Sequence, residues 1–240
     1  GDVEHAGQGR DGFERRDAGQ EDLAVEAALK ARLADTSAPG PIVLGLSLMG
    51  SAKPQLLAML DEAMQGNVLP ELRLGYARTL ISQQQYPKAL HELTRLNTKH
   101  PDFAEGWLIH GLVLQENQQL ADAEKRVEQY IRLVASSKTP EHQAGKVEAL
   151  LSLAQIAQKN GQLDRANQWL AQMPPGADPI KLASRQADLL AQQGRMDEAR
   201  NVLAQVKPAN AEQAQRKILA QSYWLREHRE APAAYALVRA

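Results

Sequence analysis

EGWLIHGLVLQENQQLADAEKRVEQYIRLV, residues 105–134, reads as two amphipathic helices joined by a short turn. Its large apolar residues are Trp107 and Leu114 on the first helix and Val127 and Tyr130 on the second. Gly111 and Ala123 are small, lie twelve positions apart and face each other across the hairpin. Small side chains at that crossing let two helices approach at the short end of the ~8–10 Å range.

The same pattern recurs on both sides. LRLGYARTLISQQQYPKALHELTRLNTKHP (72–101) precedes it. KVEALLSLAQIAQKNGQLDRANQWLAQM (146–173) and IKLASRQADLLAQQGRMDEARNVLAQV (180–206) follow, and QRKILAQSYWLREHREAPAAYALVRA (215–240) begins a fifth. An alanine near the start of each second helix sets the register: Ala89, Ala123, Ala166, Ala199 and Ala234, at intervals of 34, 43, 33 and 35. Twelve positions before each anchor stands Ala77, Gly111, Ala154, Ala187 or Ser222. Leu150, Leu153, Leu170 and Met173 fill the third pair, and Leu190, Leu203 and Val206 the fourth. The 43-residue interval is one period plus nine residues, and the excess reads as a longer loop at the polar SSKTPEHQ (136–143), which carries Pro140. Gly161 and Gly194 close first helices, where a positive φ is wanted. Asp164 and Asp197 then stand where an N-cap carboxylate can accept backbone N–H bonds of the second helix. Pro101 ends the first repeat and Pro208 follows the fourth.

A period near 34 residues with two helices per unit resembles the tetratricopeptide repeat (TPR) family over about 69–240. GWLIHGLVL (106–114) and LADAEKRVEQY (120–130) match the family pattern most fully. Departures are Arg73 at the Trp place of the first repeat, Gln186 at the Leu place of the fourth and Gln221 at that of the fifth. The resemblance implies an all-α, right-handed superhelical solenoid of antiparallel helical hairpins whose first helices line a concave groove. In that register the groove positions are Arg78, Ser82, Leu108, Leu112, Gln115, Leu151, Gln155, Gln158, Arg185, Asp188, Tyr223 and Arg226. Amides and arginines mixed with leucines suit an extended or helical peptide. Some family members clamp a terminal carboxylate with basic and Asn residues; here those places hold Leu74, Arg78, Ile109, Glu148 and Ser152, so chaperone tails are not the expected partner.

The rest of the chain divides around this array. Residues 1–20 (GDVEHAGQGRDGFERRDAGQ) are Gly-rich, charged and aperiodic, and read as a flexible tail. Residues 21–68 read as a degenerate helical segment of atypical or partial repeats: a helix over 21–34, a break at TSAPGP (36–41), an apolar stretch over 42–50 and a helix from Pro54 to Gly66. The repeats then fall at about 69–103, 104–145, 146–178, 179–212 and 213–240. The fifth is short and lacks a capping helix with a polar outer face, which reads as a piece of a longer solenoid.

Composition narrows the function. Hydrophobic residues are 43% and aromatics 4%, an Ala-, Leu- and Gln-led mix that favours helix. A formal charge of -1 gives no electrostatic footprint for nucleic acid. No cysteine is present, so a disulfide, a thiolate metal site and a Cys nucleophile are excluded. No apolar run approaches the ~18–20 residues of a membrane span. GLSLMGSAK (45–53) fails as a phosphate loop, because Lys53 is displaced and Pro54 follows where Ser or Thr is needed. No two of the six histidines stand three or four apart, and His110 reads as packed and not as a metal ligand. No cofactor and no nucleophile–base pair is indicated.

The expected function is a non-enzymatic scaffold that binds a protein or peptide in the groove; its oligomeric state is open. An accessory segment of a larger enzyme whose catalytic domain lies elsewhere is the alternative, followed by an RNA-binding helical array. The absence of Cys, an opening Gly1 in place of Met and a Gln/Ala-rich bacterial-looking array fit a periplasmic or cell-envelope protein with its signal removed. A cytoplasmic protein fits nearly as well.

Overall fold

The structure, a computed structural model, describes residues 4–51, 53–174 and 176–239. Its helices are α1 (Glu4–Ala34), α2 (Gly40–Ser47), α3 (Pro54–Gln65), α4 (Pro70–Ser82), α5 (Tyr86–Lys99), α6 (Ala104–Glu116), α7 (Leu120–Leu133), α8 (Pro140–Lys159), α9 (Leu163–Leu170), α10 (Pro179–Gln192), α11 (Met196–Gln205), α12 (Ala211–Glu227) and α13 (Ala231–Arg239). No strand occurs among the described residues. The chain forms two units, 1–106 and 107–240.

In the first unit α1 packs on α2 and α3. Val25, Ala28, Ile42, Leu56, Leu60 and Met64 share one core with Tyr76, Leu80 and Ala89 of the α4/α5 hairpin. The stretch expected to be a tail over 1–20 overlaps the start of α1, and residues 1–3 lie outside the described residues. The apolar segment 42–50 is the helix α2 followed by a single 3-10 turn at Met49–Ser51. Gly45 sits against α3: a Cβ there would lie 2.9 Å from Met59 Cε and 3.1 Å from Leu60 Cδ2. Gly45 of the GLSLMGSAK string thus serves the packing of α2 on α3. Pro54 is N1 of α3 and Gly66 its C-cap, as its sequence reads.

The second unit is four hairpins, α6/α7, α8/α9, α10/α11 and α12/α13. The register of small residues holds in every hairpin of both units. Ala77 and Ala89, Ala154 and Ala166, and Ala187 and Ala199 are all 0% exposed, and Gly111 and Ala123 are buried. In the last pair Ser222 Oγ donates to the carbonyl of Ala234 at 3.5 Å. The predicted fillers surround these crossings: Val127, Tyr130, Leu150, Leu153, Leu170 and Leu203 are buried, and Leu190 and Val206 pack at the edge. Each fully buried Leu or Val contributes about 1.5–3 kcal/mol by leaving water. Met173 lies past the end of α9, because Pro174 disfavours helix at the residue before it, yet still packs on that cluster.

One turn joins all five hairpins. Gln84, Gln118, Gly161, Gly194 and Arg229 have φ of 59°, 60°, 73°, 77° and 64°, and each stands five residues before its anchor alanine. The next N–H reaches back to a carbonyl five residues earlier: Gln85 to Leu80, Gln119 to Leu114, Gln162 to Ala157, Arg195 to Leu190 and Glu230 to Leu225, at 2.7–2.9 Å. This is the Schellman closure of a helix C-terminus. Its left-handed residue costs about 1–2 kcal/mol unless it is glycine. Gln118→Gly is therefore expected to stabilise the chain by about 1 kcal/mol and Gly161→Ala to destabilise it by about as much, measured by urea unfolding. Equal midpoints would show that the turn is not strained.

Two local expectations are corrected. The nine extra residues are not a loop. Thr139 caps α8, accepting from the His142 N–H, and Pro140 occupies N1, so the second half of SSKTPEHQ becomes helix and α8 is 20 residues long. Asp164 and Asp197 are not N-caps. The Schellman turn makes Gln162 and Arg195 the caps, and the aspartates fall in the first helical turn, where their charge favours the helix dipole.

Candidate functional site

In the second unit the first helices α6, α8, α10 and α12 lie side by side, and their shared face carries two open hollows. One, of about 460 Å³, is lined by Leu112, Gln115, Glu116, Gln118, Glu148, Leu151, Ser152, Gln155, Lys159, Lys181 and Arg185. The other, of about 410 Å³, is lined by Leu151, Ile180, Lys181, Ser184, Arg185, Asp188, Arg216, Leu219 and Ala220. Leu151, Lys181 and Arg185 border both.

A row of polar side chains crosses this face. Gln115 Nε2 on α6 donates to Gln155 Oε1 on α8 at 3.1 Å, and Ser152 Oγ donates to Gln115 Oε1. Arg185 on α10 reaches Gln158 Oε1 at 3.4 Å and Gln155 Oε1 at 3.5 Å, and its guanidinium lies 3.8 Å from the Asp188 carboxylate. Lys159 Nζ donates to Gln118 Oε1 at 3.2 Å. Burial raises the Asp188 pKa, against the opposing pull of Arg185 and His228. Arg216 pairs with Asp178, which also caps α10 by accepting from the Ile180 N–H at 2.9 Å.

The structure brings together Leu112, Gln115, Leu151, Gln155, Gln158, Arg185 and Asp188 of the predicted groove. Leu108 is 9% exposed and points into the core. Tyr223 and Arg226 are exposed on α12 and line neither hollow. Arg78 and Ser82 are exposed on α4 of the first unit, where Ser82 Oγ bonds the Thr79 carbonyl at 2.8 Å. Sequence reasoning missed Lys181, Ser184, Ser152 as a ladder member, and Arg216. Lys181 is legible in hindsight as the residue one turn before Arg185, on the same helix face.

His110, on α6, is 4% exposed and packed as expected. Burial, followed by the nearby Arg126 charge, lowers its pKa from 6.5 to about 4. It is therefore neutral in the fold, while the unfolded chain still binds a proton at pH 6.5 and below. Its contribution is complete above pH 6.5 and declines as pH falls from 6.5 to about 4, by about 1.4 kcal/mol per pH unit. His110→Gln should flatten the stability–pH curve in that window; an unchanged slope would show that His110 does not titrate between the two states.

Among the described residues no group of His, Asp and Glu is placed to hold a metal ion, and no helix is long and apolar enough to cross a membrane.

No protein-family model matches the chain, and no curated protein matches it in sequence. Solved structures do match. The pilF protein of Pseudomonas aeruginosa aligns at 16% identity over 91% of this chain and 90% of its own, with a TM-score of 0.55. A tetratricopeptide repeat protein from Parabacteroides merdae aligns at 17% identity over 96% and 95%, TM-score 0.54. The Cut9–Hcn1 hetero-tetramer of the APC/C aligns at 14% identity over 90% of this chain and 41% of that one, TM-score 0.55. With five hairpins in one register and these neighbours in fold, the chain has the tetratricopeptide-repeat fold.

Proposed function

We propose that the chain is a non-catalytic interaction scaffold, and that the α6–α8–α10 face of its second unit binds a peptide segment of a protein partner. The observation that carries this reading is the amide row Gln115–Gln155–Gln158, whose Gln115 and Gln155 line one of two adjoining open hollows. Amides at this spacing can meet the N–H and C=O groups of an extended backbone, and leucines beside them offer apolar contact. The fold neighbour Cut9–Hcn1 is itself a hetero-tetramer, which supports a role in protein assembly.

The test is selection of a displayed library of random 12-residue peptides on the whole chain. Enriched peptides are expected to bind about tenfold or more weakly to Gln115→Ala/Gln155→Ala, with the melting temperature of that variant as the folding control. Peptides bound equally by both proteins would remove this face from consideration.

A further inference from the structure

The hollow among α8, α10 and α12 has a definite chemical bias. Its floor is apolar: Ile180 is buried, Leu151 is half-buried, and Leu219 stands 64% exposed at the edge. Its rim carries Lys181, Arg185 and Arg216 against one carboxylate, Asp188. Arg216 is held by Asp178, and Arg185 leans on Asp188, so Lys181, whose backbone N–H donates to Asp178, is the cation lining this hollow whose ammonium is bonded to no other described side chain.

The amides strengthen the bias. Gln155 Oε1 already accepts from Gln115 and Arg185, and Gln158 Oε1 accepts from Arg185. What remains on the two amides is both NH₂ groups and a single acceptor site on Gln158 Oε1, so the capacity left over is mainly donor capacity. Glu116 and Glu148 border the neighbouring hollow and disfavour a second negative charge there.

Resting on the reading of this face as a peptide-binding surface, we infer that the hollow takes a segment presenting a bulky apolar side chain beside a carboxylate. The apolar side chain covers Leu151, Ile180 and Leu219. The carboxylate reaches Lys181 and Arg185, and the segment's carbonyls accept from Gln155 and Gln158. The charge and donor pattern of the hollow is the complement of such a segment.

The test sorts the peptides enriched from the 12-residue library by composition, and measures each by fluorescence anisotropy at two salt concentrations. Expected are sequences with Leu, Ile or Phe next to Asp or Glu. Their binding should fall about tenfold in Lys181→Glu/Arg185→Glu and weaken as salt rises. Lys181→Glu alone, at an exposed position, serves as the second variant if the double substitution disturbs folding. Peptides that depend on Gln115 and Gln155 but show no acidic preference, or are indifferent to Lys181→Glu, would overturn this inference and leave the binding face intact. No peptide dependent on either pair would overturn both.

Discussion

Arg73→Leu is expected to destabilise the α3–α5 packing by about 3–5 kcal/mol, the cost of breaking a buried ion pair from one side. Arg73 is 1% exposed and pairs with Glu92, itself 4% exposed. Its other nitrogen donates to the Met64 carbonyl at 2.9 Å and the Gly66 carbonyl at 3.1 Å, closing the end of α3. Leucine would strand the carboxylate and both carbonyls. Arg95, 3.4 Å from Glu92 and part-exposed, compensates only in part. The double variant Arg73→Leu/Glu92→Leu should regain much of the loss, because two apolar groups leave no buried charge. Urea unfolding of both variants is the check. Equal losses would mean that packing volume, and not charge, holds this site.

Gly111→Val is expected to cost about 3 kcal/mol, at the upper end of what overpacking does. A Cβ at Gly111 would collide with Val127 Cγ2 and lie 3.1 Å from both the Ala123 carbonyl oxygen and the Val127 nitrogen. Side chains can turn away; the backbone of α7 cannot without opening the hairpin. Adding Val127→Ala should therefore recover only part of the loss. Full recovery would mean that α6 and α7 are less closely packed than their backbones indicate. Gly145 marks a second such approach, where a Cβ would meet the ring of Tyr130, whose hydroxyl donates to the His142 carbonyl at 3.3 Å.

The hairpins were legible because a close helix crossing needs small residues on both helices at once. That requirement repeats with the period, so Ala77/Ala89 and Ala187/Ala199 are visible without any partner element. What the period does not carry was harder to read. Pro140 looks like a breaker, but Thr139 before it makes it the first residue of a helix. That misreading had a consequence for the groove. The added turn of α8 lies over Leu108, whose Cδ2 is 3.4 Å from the place of a Gly145 Cβ. Leu108 and Leu112 share a face by spacing, yet Leu108 is covered and Leu112 remains part-exposed. Arg73 stood out as a departure from the family pattern. Its buried pairing with Glu92, nineteen residues away, is a long-range fact that no local pattern announces. The left-handed turns were found where glycine marks them, at 161 and 194, and missed where Gln84, Gln118 and Arg229 hold the same conformation.

The proposed binding surface is the first-helix face of the second unit. Amide hydrogen exchange of the chain, with and without a peptide enriched from the library, tests it most directly. The predicted result is added protection in α8 over 148–159 and in α10 over 180–192, with α9 and α11 unchanged. Protection confined to α9 and α11 would contradict it.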